Sequence, residues 1–268
     1  MKSPGSVAFT IFGFDIMWYG LLIALGFILA ILVSYKRAPI HGVKRDDLLD
    51  YALWLIPGAI IGARAYYVIF SWHNYAGDIR AILDIRSGGL AIHGGLILCL
   101  IIAILFCRHR KIVFFEMSDL IFPSVALAQS IGRWGNFFNE EAHGTATDLP
   151  WAISINSQYV HPTFLYESIW CLLLFLLLLY IDKRRAFCGQ ITCLYGMLYS
   201  IERFVVEGLR TDSLMIGSLR QAQVLSASVF IVCLILYIYL NQMQLKRSAD
   251  VEANSEIKNK SKYKEKKL

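Results

Sequence analysis

Long apolar runs, separated by short polar and charged segments, dominate the pattern along this chain. A helix needs about 20 mostly apolar residues to cross the hydrocarbon core of a bilayer. Seven stretches approach this length, at residues 15–35, 49–70, 89–107, 118–136, 163–181, 189–208 and 222–241. The fourth and sixth stretches are the most polar. The pattern predicts an all-α integral membrane protein with about seven transmembrane helices.

Lysine and arginine residues between the stretches predict how the chain is oriented. Basic clusters follow the first, third and fifth stretches, and a lysine-rich segment follows the seventh. The connectors on the opposite side hold fewer basic residues. Because basic connectors stay in the cytoplasm, we expect the N-terminus outside, the C-terminus in the cytoplasm and an odd number of spans.

The distribution of polar residues divides the chain into two parts. Residues 1–245 contain all the apolar stretches and are predicted to form one polytopic membrane domain. Residues 246–268 are polar and rich in lysine, so we expect a disordered cytoplasmic tail. Such a tail could bind anionic lipid headgroups.

The composition is also typical of a chain that faces lipid. Hydrophobic residues make up 57% and charged residues 17% of the chain, whereas a soluble domain carries about 25% charged residues. The formal net charge is +6. The basic residues lie in short clusters between the apolar stretches, as in membrane proteins, so no nucleic-acid partner is expected. The six cysteines include no C-x-x-C pair, and we predict neither a metal site nor a disulfide framework.

The first group of polar residues at membrane depth is the block GRWGNFFNEEAHG, from Gly132 to Gly144. Arg133 and Asn136 are three positions apart, so they share one helix face. A charge within the bilayer is costly, and such residues persist when they are paired or used. An arginine fork donates two parallel hydrogen bonds, which suits a phosphate. The alternative is a structural Arg–Glu pair combined with glycine packing.

A second group surrounds His93, which lies between two glycine pairs in the block SGGLAIHGGL. An imidazole can act as a base or as a hydrogen-bond donor near neutral pH. The flanking glycines would let backbone amides approach a ligand closely. A histidine on an apolar face can equally be an ordinary core residue, and the residues alone leave both interpretations open.

A third group is the block YSIERFVVEGLRTD, which begins at Tyr199. Tyr199, Arg203 and Glu207 follow one another at helical spacing and form one stripe. Arg210 is predicted to continue this stripe, whereas Glu202 should point about a quarter-turn away. Arg203 and Glu207 could bind a ligand or simply neutralise each other.

Single polar residues elsewhere also fall within apolar stretches. Tyr19 begins the first stretch in the sequence WYG, and Glu167 ends the block HPTFLYE that opens the fifth stretch. Arg64 lies in the second stretch. A carboxylate such as Asp119 could pair with it.

Together these blocks resemble the signature of the prolipoprotein diacylglyceryl transferases of bacteria. The blocks WYG, GGLAIHGG, GRWGNFFNEEAHG, HPTFLYE and RFVVEGLRTDSL follow in the family's order and extend from residue 18 to about residue 225. Two positions depart from the family's pattern. Glu140 lies where glycine or glutamine is expected, and Glu202 lies where glycine is common.

The resemblance implies a specific reaction. Members of this family transfer the diacylglyceryl group of phosphatidylglycerol to the lipobox cysteine thiol of a prolipoprotein. The products are a thioether and glycerol 1-phosphate, and the step is the first in bacterial lipoprotein maturation. No cofactor is expected, because the lipid carries its own leaving group. The expected partners are phosphatidylglycerol, the prolipoprotein signal peptide and membrane lipids, and the expected location is the bacterial cytoplasmic membrane.

The resemblance also implies a set of site residues. The catalytic candidates are His93, Arg133, Glu141, Arg203 and Glu207. The candidates for binding phosphatidylglycerol are Tyr19, Arg133, Asn136, Gly144, Tyr199 and Arg203. We expect the two arginines to hold the phosphate. His93 is either the base for the thiol or a positioning group, with Glu141 or Glu207 orienting the arginines.

Two other classes of function fit a polytopic membrane protein with buried charges. A transporter or channel would use these charges along an ion path and would be expected to show inverted repeats with paired half-helices. The sequence has no such repeat. A non-catalytic lipid-binding scaffold would form no product from phosphatidylglycerol and peptide.

Overall fold

The computed structural model describes residues 3–85, 88–155, 157–217 and 219–265. Within these ranges the chain forms eight α-helices. They are α1 (Trp18–Arg37), α2 (Arg45–Phe70), α3 (Ile79–Leu83), α4 (Ile92–Arg110), α5 (Phe114–Phe138), α6 (Thr163–Asp182), α7 (Gln190–Glu207) and α8 (Gln221–Glu265). Two 3₁₀ turns, Ala38–His41 and Trp72–Asn74, follow α1 and α2.

Five helices in the described part of the chain are long and apolar enough to cross a membrane. They are Trp18–His41, Arg45–Phe70, Ile92–Arg110, Thr163–Asp182 and Gln221–Ser248. This confirms the helical membrane character predicted from the sequence. Helices α5 and α7 carry the predicted fourth and sixth stretches and are less apolar, because they contain the charged residues of the first and third blocks.

Short antiparallel hairpins, which the apolar pattern did not predict, lie between the helices. The pairs are β1 (Val7–Ile11) with β2 (Phe14–Met17), β3 (Ile153–Ile155) with β4 (Gln158–Val160), and β5 (Met215–Ile216) with β6 (Leu219–Arg220). The first hairpin turns at Phe12 and Gly13, whose φ angles of 51° and 81° are those that a two-residue hairpin turn requires. As a result α1 begins at Trp18 rather than at residue 15.

The chain forms two compact units, and the first comprises the chain up to Ala30 together with the chain from Ile121 onward. In this unit α6 packs against α7, and α7 packs against α8. Its main core cluster consists of Ala126, Leu174, Leu178, Ile191 and Tyr195. At Gly26 a Cβ atom would lie 3.1 Å from the carbonyl oxygen of Ala128, so this glycine lets α1 and α5 approach closely.

The second unit comprises Ile31–Leu120 and is built on the packing of α2 against α4. The two backbones touch at Gly62, where a Cβ atom would lie 2.5 Å from the carbonyl oxygen of Gly94. At the opposite end of the pair, the guanidinium group of Arg110 lies 3.1 Å from Asp47 and 2.5 Å from Asp50. Small residues at one end and ion pairs at the other therefore hold these two helices together.

Arg64 does not pair with Asp119, so that prediction is wrong. Its guanidinium group instead donates to main-chain carbonyl oxygens, at Ala81, Ile82 and the Gly88–Gly89 pair. Main-chain acceptors have no side-chain signature in a sequence, which explains the error.

Helix α8 continues beyond its apolar part to Glu265. It has no break at residue 246, where the predicted disordered tail begins. Residues 266–268 lie outside the described residues. The division of the chain into a membrane domain and a tail stays a prediction.

Candidate active site

Arg133 lies near the end of α5 and forms the first part of a charged cluster in the first unit. Its Nη1 atom is 3.2 Å from Oε2 of Glu167 on α6. Its Nη2 atom donates to the hydroxyl oxygen of Tyr199 on α7, at 3.2 Å. The Arg133 side chain is 20% exposed, so it has fixed partners and part of it remains accessible.

Glu167 joins this arginine to a second one. Its Oε1 atom accepts a hydrogen bond from Nη1 of Arg203 at 3.1 Å, while Oε2 faces Arg133. The Glu167 side chain is 1% exposed, and that of Arg203 is 19% exposed. One buried carboxylate therefore holds two guanidinium groups from different helices. Glu167 was predicted to lie at membrane depth but not to belong to the site.

Arg203 has a second carboxylate partner one turn along α7. Its Nη2 atom lies 2.6 Å from Oε2 of Glu207, at the i, i+4 spacing that the sequence predicted. This contact is an ion pair without the directional geometry of a hydrogen bond. Tyr199, Arg203 and Glu207 thus form the predicted stripe, and the stripe faces α5 and α6.

Glu202 belongs to the same buried region. Its side chain is 5% exposed, and among the described residues neither of its carboxylate oxygens has a hydrogen-bond partner. A buried carboxylate is expected to be paired, so this residue adds a second carboxylate near Arg133, after Glu167, that no hydrogen bond satisfies among the described residues. Glu202 was predicted to point away from the stripe and was noted as a departure from the family's pattern, but it was not predicted as a site residue.

A tight turn follows α5 and brings together the polar residues of the first block. Oε1 of Glu141 accepts hydrogen bonds from the amide groups of Asn136, at 2.9 Å, and Asn139, at 3.3 Å. Glu140 and Ala142 have left-handed backbones, with φ angles of 53° and 57°. The carboxylate of Glu141 therefore fixes Asn136. The turn also holds Glu140 and Ala142 in a backbone conformation that glycine adopts without strain.

The remaining predicted residues of this unit surround the same segment. The ring of Tyr19 packs on Gly135, where a Cβ atom would collide with it. Gly144 is buried between two other segments, and a Cβ atom there would lie 2.7 Å from Cβ of His161 and 3.2 Å from the carbonyl oxygen of Leu209. Gly144 therefore allows backbone segments to pack closely at this point.

Arg210 leaves the stripe, because α7 ends at Glu207. Its guanidinium group donates to both carboxylate oxygens of Asp212, at 2.9 Å and 2.7 Å. These hydrogen bonds lower the pKa of Asp212 below its usual range. The prediction that Arg210 continues the stripe is wrong.

His93 lies in the second unit, as the second residue of α4. Its side chain is exposed, and its ring centroid lies 6.3 Å from that of Tyr66 on α2. It is therefore not a buried core histidine, and its role in the reaction stays a prediction.

An apolar cavity of about 290 Å³ lies in the first unit. It is lined by Trp134, Pro150, Trp151, Ala152, Ile153, Phe164 and Leu165. Trp134 lies on α5 with Arg133, and Phe164 and Leu165 lie on α6 with Glu167, so the same two helices carry part of the cavity and part of the charged cluster. Among the described residues no group of histidine, cysteine and carboxylate side chains is arranged to hold a metal ion.

The geometry of the cluster suits an anionic ligand. Two partly exposed guanidinium groups are held by a shared carboxylate, and donors fixed before a ligand arrives need little reorganisation when charge develops on it. Arginine is suited to this task because it stays charged and presents a planar fork. An anionic group would therefore match the two arginines.

Comparison with known proteins identifies the family. Residues 6–239 match the prolipoprotein diacylglyceryl transferase family. The phosphatidylglycerol–prolipoprotein diacylglyceryl transferase of Finegoldia magna is 52% identical over 90% of this chain and 97% of its own length. The proteins of the same name from Clostridioides difficile and Clostridium novyi are 50% and 46% identical, over 88% and 97% of this chain and 95% and 99% of their own lengths. The chain therefore belongs to the prolipoprotein diacylglyceryl transferase family.

Proposed function

We propose that this chain transfers the diacylglyceryl group of phosphatidylglycerol to the lipobox cysteine thiol of a prolipoprotein. One observation carries the assignment of the site: a single buried carboxylate, Glu167, holds Arg133 and Arg203 side by side. The match to the family over most of the chain gives the reaction class, and the paired arginines support a phosphate-binding site at this cluster.

The reaction is a substitution at the diacylglyceryl carbon that is bonded to the phosphate oxygen. The thiolate is the reactive form of the cysteine. Its sulfur forms a bond to this carbon while the carbon–oxygen bond to the phosphate breaks. The phosphate oxygen keeps the bonding electrons, and glycerol 1-phosphate leaves. A base accepts the thiol proton.

In this mechanism Arg133 and Arg203 bind the phosphate and stabilise the charge that develops on the leaving group. Charge stabilisation of this kind is strongest where water is excluded and the donors are fixed in advance. Glu167 and Glu207 orient the two guanidinium groups, and the Tyr199 hydroxyl oxygen accepts a hydrogen bond from Nη2 of Arg133. The two carboxylates also offset the two positive charges before the lipid binds.

The segment around the end of α5 would bind the polar headgroup. Asn136, held by Glu141, offers an amide to the headgroup hydroxyls. Tyr19 offers its hydroxyl from the start of α1, and Gly144 keeps the backbone close at the end of the turn. His93 would serve either as the base that accepts the thiol proton or as a group that positions the lipid.

We also propose a topology of seven spans, with the N-terminus outside and the C-terminus in the cytoplasm of a bacterial cell. Helices α5 and α7 would then cross the membrane in addition to the five more apolar helices. The positions of the basic clusters support this orientation. A charged cluster that α5, α6 and α7 share would satisfy its charges within the protein rather than in lipid.

A reconstitution experiment tests the proposal. Purified protein is incubated with phosphatidylglycerol and a lipobox peptide, and the peptide is analysed for a diacylglyceryl mass increase. We expect the increase with the cysteine peptide and none with a peptide whose cysteine is replaced by serine. Lipid binding without product would favour a non-catalytic scaffold and would overturn the proposed reaction.

A further inference from the structure

Arg64 in α2 is a buried cation outside the cluster described above. Arg64 is 5% exposed. Nε donates to Ile82 O at 2.9 Å, and Nη2 donates to Ala81 O at 2.5 Å. Nη1 donates to the carbonyl oxygens of Gly88 and Gly89, at 2.7 Å and 3.0 Å. One guanidinium group thus binds two pairs of adjacent carbonyls.

The two carbonyl pairs come from different parts of the connection between α2 and α4. Ala81 and Ile82 lie in the last turn of α3, where a cation is favourable, and the carbonyl oxygen of Ala81 also accepts from the amide of Asp84 at 3.3 Å. Gly88 and Gly89 lie just before α4, and both have left-handed backbones, with φ angles of 89° and 69°. Within the described residues no carboxylate forms an ion pair with Arg64, so the planar arrangement of its donors defines its contacts.

The same contacts continue directly into the start of α4. The amide of Ala91 donates to the carbonyl oxygen of Ala63, at 3.0 Å. One turn away Gly62 and Gly94 bring the two helix backbones into contact. His93 lies between Ala91 and Gly94, so the position of its backbone depends on how this end of α4 is attached to α2.

We propose that Arg64 is a positioning residue for the transfer reaction. By binding both carbonyl pairs, it attaches the segment before α4 to α2 and thereby fixes the start of α4 and the place of His93. The expected effect of Arg64 on turnover rests on the proposed function. Its effect on the structure can be measured without any turnover.

Arg64→Lys tests the role of the donor arrangement, because lysine keeps the positive charge and loses the planar fork. An ammonium group cannot reach both carbonyl pairs at once. We expect backbone amides of residues 88–95 to exchange with deuterium at least about tenfold faster, with no change in α5, α6 or α7. We also expect kcat to fall at least about tenfold, while KM for phosphatidylglycerol changes less than about twofold.

A second variant keeps Arg64 and disturbs the same contact from the other side. At Gly89 a Cβ atom would lie 2.5 Å from Nη1 of Arg64 and 2.8 Å from the ring of Tyr67. Gly89→Ala should therefore give the same local increase in exchange and the same fall in kcat. Gly77→Ala is the matched control, because Gly77 has a φ of 89° but nothing within 4 Å of its Cβ position. It introduces a similar backbone strain without touching Arg64.

Arg110→Gln is the control for breaking a polar contact of the same helix pair. It removes the ion pairs to Asp47 and Asp50 at the opposite end of α2 and α4, and we expect wild-type exchange in residues 88–95 and wild-type turnover. Exchange in residues 88–95 that stays at the wild-type rate in Gly89→Ala, or in a folded Arg64→Lys, would overturn the proposal. So would faster local exchange with unchanged kcat. If the wild-type protein forms no product, the proposed function fails, and the exchange measurement still decides whether Arg64 holds this segment.

Discussion

The carboxylate of Glu167 allows the most direct test of how the paired arginines work. Replacement by glutamine keeps the size of the side chain and removes its negative charge. The amide oxygen can accept from one guanidinium group, but the amide nitrogen would face the other guanidinium as a second donor. We therefore expect Arg133 and Arg203 to move apart in Glu167→Gln.

The magnitude follows from burial and from the partners that remain. Removing one partner of a buried ion pair destabilises a protein by about 3–5 kcal/mol. Glu167 is 1% exposed, but Arg133 and Arg203 are 20% and 19% exposed, and each keeps another partner. These features place the loss of unfolding free energy at the lower end, about 3 kcal/mol. Loss of one preorganised electrostatic donor lowers turnover by about 10²–10³-fold, and we expect a fall in kcat of this order.

The assay compares the initial rate of diacylglyceryl transfer to a lipobox peptide with thermal unfolding in detergent. Glu167→Asp keeps the charge on a shorter side chain and should lie between the wild type and Glu167→Gln. Asp148→Asn is the control, because it removes an exposed carboxylate from the connection between α5 and α6. If folded Glu167→Gln transfers at the wild-type rate, the two arginines do not depend on a shared carboxylate and the reasoning is refuted.

Substitutions at three further positions probe the same region. Arg133→Ala should abolish transfer while the protein still inserts and folds. Transfer by Arg133→Lys should stay at least about tenfold below wild type, because a point charge does not replace a fork. Near-normal transfer by either variant would contradict the phosphate-binding role. Glu202→Gln removes a carboxylate near two arginines and should lower KM for anionic phosphatidylglycerol a few-fold, and an unchanged or higher KM in the transfer assay would contradict this. Glu140→Gly relieves the strain of a left-handed backbone at φ 53°. This should increase the free energy of unfolding by about 1 kcal/mol and raise the unfolding temperature by about 2–4 °C. A lower unfolding temperature would mean that the Glu140 side chain stabilises the turn.

The family and the reaction class could be predicted because the relevant residues are contiguous in the sequence. The block from Gly132 to Gly144 keeps its residues close in space through local geometry alone, and the match over residues 6–239 confirms the resemblance. Helical spacing was also sufficient for Arg203 and Glu207, which form the predicted i, i+4 ion pair. Interactions within one helix depend on its period, which the sequence displays directly.

Contacts between distant segments could not be predicted in the same way. Glu167 lies 36 positions from Arg203 in the chain, and nothing in its own block indicates that it joins two arginines. For Arg64 the sequence suggested a carboxylate partner, whereas the structure provides carbonyl oxygens. Every residue carries a carbonyl group, so only the path of the backbone decides which of them meet a guanidinium group.

Apolar length and contiguous motifs are local properties, so the amino-acid sequence was sufficient to identify this chain as a helical membrane protein of the prolipoprotein diacylglyceryl transferase family. The pairing of its buried charges, in contrast, depends on how the helices pack. Packing of α5, α6 and α7 places one carboxylate between Arg133 and Arg203 and leaves Glu202 without a hydrogen-bond partner among the described residues. A buried charge interacts strongly over a few ångströms, so its effect depends on three-dimensional distance, which position along the chain does not specify.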